Sequence, residues 1–178
     1  MFEEYLQDSY EFLILAQQAS QTSNVREAKR YYRASAFYAA SAMEAFVNYI
    51  ADSFAKAESL TPHEIAYLND KNLFFSAKKA KLIEKVEFHR LDEKLKFLIR
   101  KFVPDFNFVN TSWSRLMEFK DFRDSLVHPR QSEDETEIAE YQRKLSTGIA
   151  GVIEIMNCIS KGIFKKPLRK QLLDLMPE

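Results

Sequence analysis

The residues of this chain with the most capacity for chemistry stand together in Phe119-Lys120-Asp121-Phe122-Arg123-Asp124-Ser125-Leu126-Val127-His128-Pro129. An imidazole titrates near neutral pH, so His128 can take or give a proton. A guanidinium keeps its charge and presents a fixed fork of donors, which suits Arg123 to phosphate oxygens. Asp124 can orient His128 or hold Arg123 in place, and Ser125 can add a hydrogen bond to phosphate. The plainer alternative is a surface ion pair of Arg123 with Asp124 and a histidine that caps a helix end, since an arginine and a histidine five residues apart often occur by chance.

These groups need elements to position them. Phe119, Phe122 and Leu126 recur at spacings of three and four, the stripe of a helix packed on a core, and Pro129 disfavours helical backbone at His128. His128 is therefore expected at a helix end. On an ideal helix, Arg123 and His128 lie about 140° apart around the axis and about 7.5 Å apart along it. They make no tight pair by helical geometry alone: either the last turn is distorted, or each faces a cleft completed by another helix or another subunit. A second polar stripe, Ser41, Glu44 and Asn48, interrupts an apolar run earlier in the chain. It reads as a partly solvated edge or a Glu44 salt bridge to a neighbouring helix, with a lining of the Arg123 cleft as the sharper alternative.

An arginine, four residues led by a polar one, and a histidine at a helix end resemble the signature of the HEPN superfamily, named for higher eukaryotes and prokaryotes nucleotide-binding. The run Ser41-Ala42-Met43-Glu44-Ala45-Phe46-Val47-Asn48 in an earlier helix also resembles members. The resemblance implies an all-helical bundle, commonly a homodimer, in which Arg and His from two subunits meet in one cleft. Many members are metal-independent endoribonucleases of toxin-antitoxin or phage-defence type; others are inactive. Carried over by position, it implies Arg123 and His128 as the catalytic pair, with Asp124 in a slot often filled by Asn. Ser125, Glu44 and Asn48 are then candidate substrate-binding residues. RNA or a nucleotide is the implied ligand, and a cognate antitoxin or nucleotidyltransferase the implied protein partner.

Composition bounds these readings. At 178 residues the chain fits one domain, residues 1–178, with enough length to bury a core. With 46% hydrophobic residues disorder is disfavoured, and with only 3 Gly and 5 Pro there are few turns for strands. The expected class is all-α, an up-and-down bundle of about four to five long helices with short ones added. A net charge of zero argues against a broad basic coat and leaves RNA binding to a local cationic cleft. No run of about 18 apolar residues and no leader-like amino terminus is evident, so a cytoplasmic protein without a membrane partner is expected. His63, His89 and His128 lack metal-ligand spacing, and three scattered glycines build no phosphate loop. No metal and no cofactor is expected. Cys158 lies in an apolar run and reads as an inert thiol.

Taken in order, the chain predicts a helix over 2–19 and a long one from Val25 to Ala57, opened by Asn24 and Glu27 as a capping box. Its core stripe is Ala36, Ala39, Met43, Phe46, Ile50 and Phe54. Thr61-Pro62-His63-Glu64 starts a short helix to Asn69, with His63 on the surface. The spacing of Leu73, Ala77, Ala80 and Ile83 predicts a helix over 73–87, and Asp92 opens another that Pro104 stops. Lys78, Lys79, Lys81, Lys85, Lys94 and Lys96 would give these two helices a cationic outer face, either merely solvated or attractive to phosphate backbone. Pro104 to Asn110 is an aromatic loop with Phe106 and Phe108 under the bundle, or stacked on a nucleobase. Ser112 opens the motif helix. Ser132 and Glu135, amid the acids Glu133, Asp134 and Glu137, cap a last long helix in which Gly148 and Gly151 mark close helix packing or a subunit contact. The segment from Lys161 to Lys170 reads as a mobile basic tail.

Two functional classes remain open: a dimeric metal-independent endoribonuclease, and a noncatalytic helical module whose cleft binds a nucleotide, RNA or protein partner. The intact Arg123 and His128 lean to the first. Asp124 in place of Asn and the neutral net charge lean to the second.

Overall fold

The longest helix, α2 (Val25–Phe54), runs for 30 residues without a glycine or proline, and its small residues let neighbours approach closely. In this computed structural model, which describes residues 1–54, 59–79, 81–128 and 136–177, α1 (Phe2–Gln21) lies along α2. Two fully buried serines set that contact. The Ser9 hydroxyl donates to the Ser35 carbonyl at 2.9 Å and the Ser35 hydroxyl donates to the Ser9 carbonyl at 2.8 Å, so both polar groups are satisfied inside the interface. The predicted opening of α2 is present, with Glu27 N–H donating to the Asn24 side chain at 3.3 Å. Residues 55–57 of the predicted helix lie outside the described residues.

Thr61 caps α3 (Pro62–Leu68) with a full capping box to Glu64, and His63 is exposed as the sequence suggested. The next segment corrects the sequence reading. In place of a helix over 73–87 there is an antiparallel hairpin of β1 (Lys71–Ser76) and β2 (Lys81–Val86), with Leu73 opposite Glu84 and Phe75 opposite Leu82. The helical stripe relied on two alanines, whose burial contributes little. Two apolar runs flanking the polar stretch Ser76-Ala77-Lys78-Lys79 instead favour strands joined by a turn, which Lys79 N–H closes by donating to the Ser76 carbonyl at 3.1 Å. The chain is thus mostly helical, with a small two-stranded hairpin. The expected cationic face of two helices is corrected with it. Lys78, Lys79, Lys81 and Lys85 are exposed on the hairpin, whereas Lys94 is buried in α4 (Leu91–Phe102).

Asn110 caps α5 (Thr111–Val127) by accepting the Trp113 N–H at 2.9 Å, and Trp113, Leu116, Phe119 and Phe122 form its buried face. Phe106 and Phe108 pack edge-on around Trp113, under the helices rather than out in solvent. Helix α6 (Ile138–Phe164) receives α5 and also packs on α2. A Cβ added at Gly148 would lie 2.4 Å from the Phe119 ring, and one at Gly151 would lie 3.0 Å from the Leu116 backbone nitrogen. Both glycines therefore serve packing of α5 on α6 within one chain, and they give no support to a subunit contact. The predicted cap at Ser132 and Glu135 and the acids Glu133 and Asp134 lie outside the described residues, while Glu137 is the N-cap residue of α6.

Among the described residues α6 is long and apolar enough to cross a membrane, yet 56% of its most apolar window is buried inside the protein, as in a core helix. Cys158 is half-buried on α6, and burial pushes its thiol up, with Lys161 pulling weakly the other way, so the reactive thiolate is disfavoured. The segment read as a basic tail is helical up to Phe164 and packed against the helices beyond it. Lys165 ends α6 in a left-handed conformation, Leu168 is buried and its N–H donates to the Asn157 side chain at 3.0 Å. A short α7 (Lys170–Leu173) then buries Leu172, and Arg169 pairs with Glu3 at 3.0 Å. Apolar residues at 168, 172, 173 and 175 hold this segment down despite its lysines.

Among the described residues two buried side-chain atoms lack a hydrogen-bond partner, Glu154 Oε2 and the Tyr32 hydroxyl. Tyr32 is fully buried and stacked 5.7 Å from Tyr141, and its hydroxyl has no hydrogen-bond partner among the described residues, while burial raises its pKa. Tyr32→Phe should therefore be neutral or stabilising by about 1 kcal/mol, because it removes a desolvated hydroxyl without opening a cavity. Thermal unfolding checks this: a rise of a few degrees is expected, and a clear fall would reveal a partner for the hydroxyl.

Candidate functional site

The motif helix α5 presents two faces. Its apolar face fixes it to α6, and that packing leaves Lys120, Arg123 and Asp124, spaced by three and four, together on the side that borders α2. Arg123 is about three-quarters buried, with its side chain 26% exposed. One of its terminal nitrogens donates to Asp124 Oδ1 at 3.1 Å, and the other reaches Glu44 Oε1 on α2 at 3.4 Å. Lys120 holds the second oxygen of Asp124 at 3.0 Å. Of the two roles open to Asp124, the geometry gives it that of holding Arg123. Glu44 is 55% exposed, which makes its bond to Arg123 a solvated bridge between α2 and α5 rather than a buried one.

These groups rim a cavity of about 420 Å³ whose floor is apolar, with Met43, Leu95, Leu116 and Phe119 among its lining residues. Arg90 and Asp92, from the segment that follows the hairpin, complete the charged rim. A smaller cavity of about 220 Å³ shares Glu44 and is lined also by Asn48, Asp70, His89 and Lys94. Glu44 thus stands between two hollows. Asn48 belongs only to the smaller one, and Ser41, half-buried on the same helix, lines neither.

His128 and Ser125 lie elsewhere. His128 ends α5 as its C-cap, exposed, with its backbone N–H donating to the Asp124 carbonyl at 3.0 Å, and it does not line the Arg123 cavity. The hydroxyl of Ser125 donates back to the Phe122 carbonyl at 2.6 Å, and the residue faces a separate hollow shared with Arg143 and Lys144. Within one chain, then, Arg123, Asp124 and Glu44 are together, Asn48 is next door, and His128 and Ser125 are turned away. No protein-family model, curated protein or solved structure matches this chain.

Asp70 anchors the neighbouring hollow. It sits at φ 55°, a left-handed conformation that Asp and Asn tolerate best among residues with a side chain. Its carboxylate accepts the His89 N–H at 2.8 Å and pairs with the buried Lys94 ammonium at 2.7 Å. Burial alone would push this carboxyl up, but the His89 amide and the Lys94 ammonium outweigh it and hold it below the ordinary carboxylate range. Sequence reasoning missed Lys120, Arg90, His89 and Asp70. Lys120 was legible at three and four residues from Arg123 and Asp124. The other three were hidden by the wrong assignment of the hairpin, which brings residues 70 and 89 together.

Proposed function

We propose that this chain is a HEPN-like endoribonuclease acting without metal through a cleft shared by two subunits. The carrying observation is the Arg123 guanidinium, fixed by Asp124 and Glu44 at the mouth of a cavity, with His128 at the end of the same helix. In the reaction, His128 of one subunit takes the proton of the RNA 2′-hydroxyl. The 2′-oxygen attacks phosphorus, Arg123 stabilises the added negative charge, and the P–O5′ bond breaks as the second histidine protonates the leaving oxygen. A 2′,3′-cyclic phosphate and a free 5′-hydroxyl result. Because His128 does not line the Arg123 cavity of its own chain, the scheme requires a homodimer, and the up-and-down bundle and the defence or toxin-antitoxin setting belong to the same proposal.

A second reading has its own observation. Both terminal nitrogens of Arg123 already serve carboxylates beside an apolar floor, an arrangement that suits a noncatalytic module taking a nucleotide, RNA or a protein such as an antitoxin or nucleotidyltransferase. The test is incubation with single-stranded RNA in excess chelator. Cleavage to 2′,3′-cyclic phosphate ends, with DNA of the same sequence left intact, supports the nuclease; intact RNA with retained nucleotide or protein binding supports the module. Light scattering at micromolar concentration should give twice the 20.9 kDa mass of the chain, and a monomer there removes the two-subunit cleft.

A further inference from the structure

The hairpin concentrates charge and apolar surface that the fold itself does not use. Between Lys71 and Val86 there are five lysines and one glutamate, in a chain whose net charge is zero. Among the described residues only Lys71 of these lysines is in an ion pair, with Glu84 at 2.7 Å. On one face Phe75 and Leu82 are paired across the strands, 65% and 51% exposed, with Val86 exposed on the same face; Phe88, just beyond, is 85% exposed. An isolated hairpin is marginal in water, and large rings left open on it mark a surface that is covered in use. The base of the hairpin is the candidate site: Asp70 and His89 line the smaller cavity, Arg90 lines the larger, and Glu44 lines both.

We propose that the hairpin is an arm for single-stranded RNA, which seats bases on its exposed rings and leads the strand into the Arg123 cavity. This rests on the RNA reading of that cavity. The tip lysines Lys78, Lys79 and Lys81 take phosphates, and Phe75 offers a face to an unpaired base. Charge decides between occupants. A second copy added along the β2 edge would set Lys81 and Lys85 beside the same lysines of its partner, and like charges on neighbouring strands repel. A membrane wedge needs its apolar residues outermost, whereas here the lysines are at the tip and the rings behind them. A duplex hides its bases in the stack and leaves Phe75 nothing to cover. A strand of six residues per side gives the arm a reach of about 20 Å, enough for several nucleotides.

The experiment measures anisotropy of a labelled single-stranded 2′-O-methyl oligoribonucleotide, which binds as RNA but carries no free 2′-hydroxyl for cleavage. Substitution of Lys78, Lys79 and Lys81 together by glutamine should weaken binding at least tenfold and lower the slope of log affinity against log salt by about 2, near 0.7 for each phosphate contact. Phe75→Ala should weaken it about tenfold with the slope unchanged. All four side chains are exposed, so melting temperatures should stay near that of the parent protein. Equal binding by the parent protein and both variants overturns the arm, as does binding to phosphatidylserine vesicles with none to the oligonucleotide. Binding that depends on these residues, in a protein that cuts no RNA, supports the arm and removes only the cleavage reading.

Discussion

If the chain is the proposed ribonuclease, Arg123→Ala and His128→Ala should each lower the rate of metal-free RNA cleavage by on the order of a hundredfold, with little change in melting temperature. The two losses have different causes. Without Arg123, nothing neutralises the extra charge on the phosphorane, and Glu44 and Asp124 are left as carboxylates beside it. Without His128, the 2′-hydroxyl keeps its proton at neutral pH. Stability should hardly move, because His128 is exposed and the Arg123–Glu44 bridge is solvated, worth about 0–1 kcal/mol. That same exposure revises the expectation for Glu44, read from sequence as a partner in a partly buried pair. Glu44→Gln should cost less than about 1 kcal/mol and leave cleavage largely intact. Single-turnover rates and melts on the same preparations decide the matter. A variant that loses activity only in step with its melting temperature removes its residue from the assigned role, and a Glu44→Gln loss equal to that of Arg123→Ala with unchanged melting moves Glu44 into the site.

The helices were legible because burial imposes the period of 3.6 and caps announce the starts. Thr61 with Glu64, and Phe119 with Phe122, are signals that a single chain carries locally. The hairpin was not legible, because no glycine or asparagine marks its turn and its lysines suit a solvated helix as well as a strand. Its consequence was wider than its length. Asp70, His89 and Arg90 come to the site only through strand pairing, so the mistaken helix removed half the rim from view. Lys94 failed in the same way: a lysine in a charge run reads as solvated, and only the carboxylate brought to it from residue 70 permits its burial. Small residues were ambiguous by nature. Gly148 and Gly151 signalled close approach, and only the placement of Phe119 and Leu116 shows that the approaching helix is α5 of the same chain.

Asp70→Asn should cost about 3 kcal/mol of stability at neutral pH, the larger part of it from the charge left on Lys94. Asparagine tolerates the left-handed backbone at this position and can still accept the His89 N–H, so the substitution isolates the ion pair. Lys94 is 5% exposed, and an ammonium buried there without its carboxylate pays desolvation with no compensating partner. The figure is set at the low end of the range for broken buried pairs because the Asp70 side chain is 32% exposed. The pH dependence has a definite sign. The Asp70 carboxyl is held below its ordinary range in the folded state, so its contribution is complete above the unfolded value of about 3.9 and is lost as pH falls through the folded one. Urea unfolding should therefore show a constant gap between the two proteins from neutrality to about pH 5, closing only below about pH 4. Adding Lys94→Met should recover much of the loss, since an apolar side chain of similar length has no charge to strand. Equal stability of the parent protein and Asp70→Asn at pH 7, or a double variant no better than the single one, would mean that this pair is not what secures the base of the hairpin. If the pair does secure it, Asp70→Asn should also weaken oligonucleotide binding before it melts the helices, because the Asp70 carboxylate joins the hairpin's exit at His89 to α4 at Lys94.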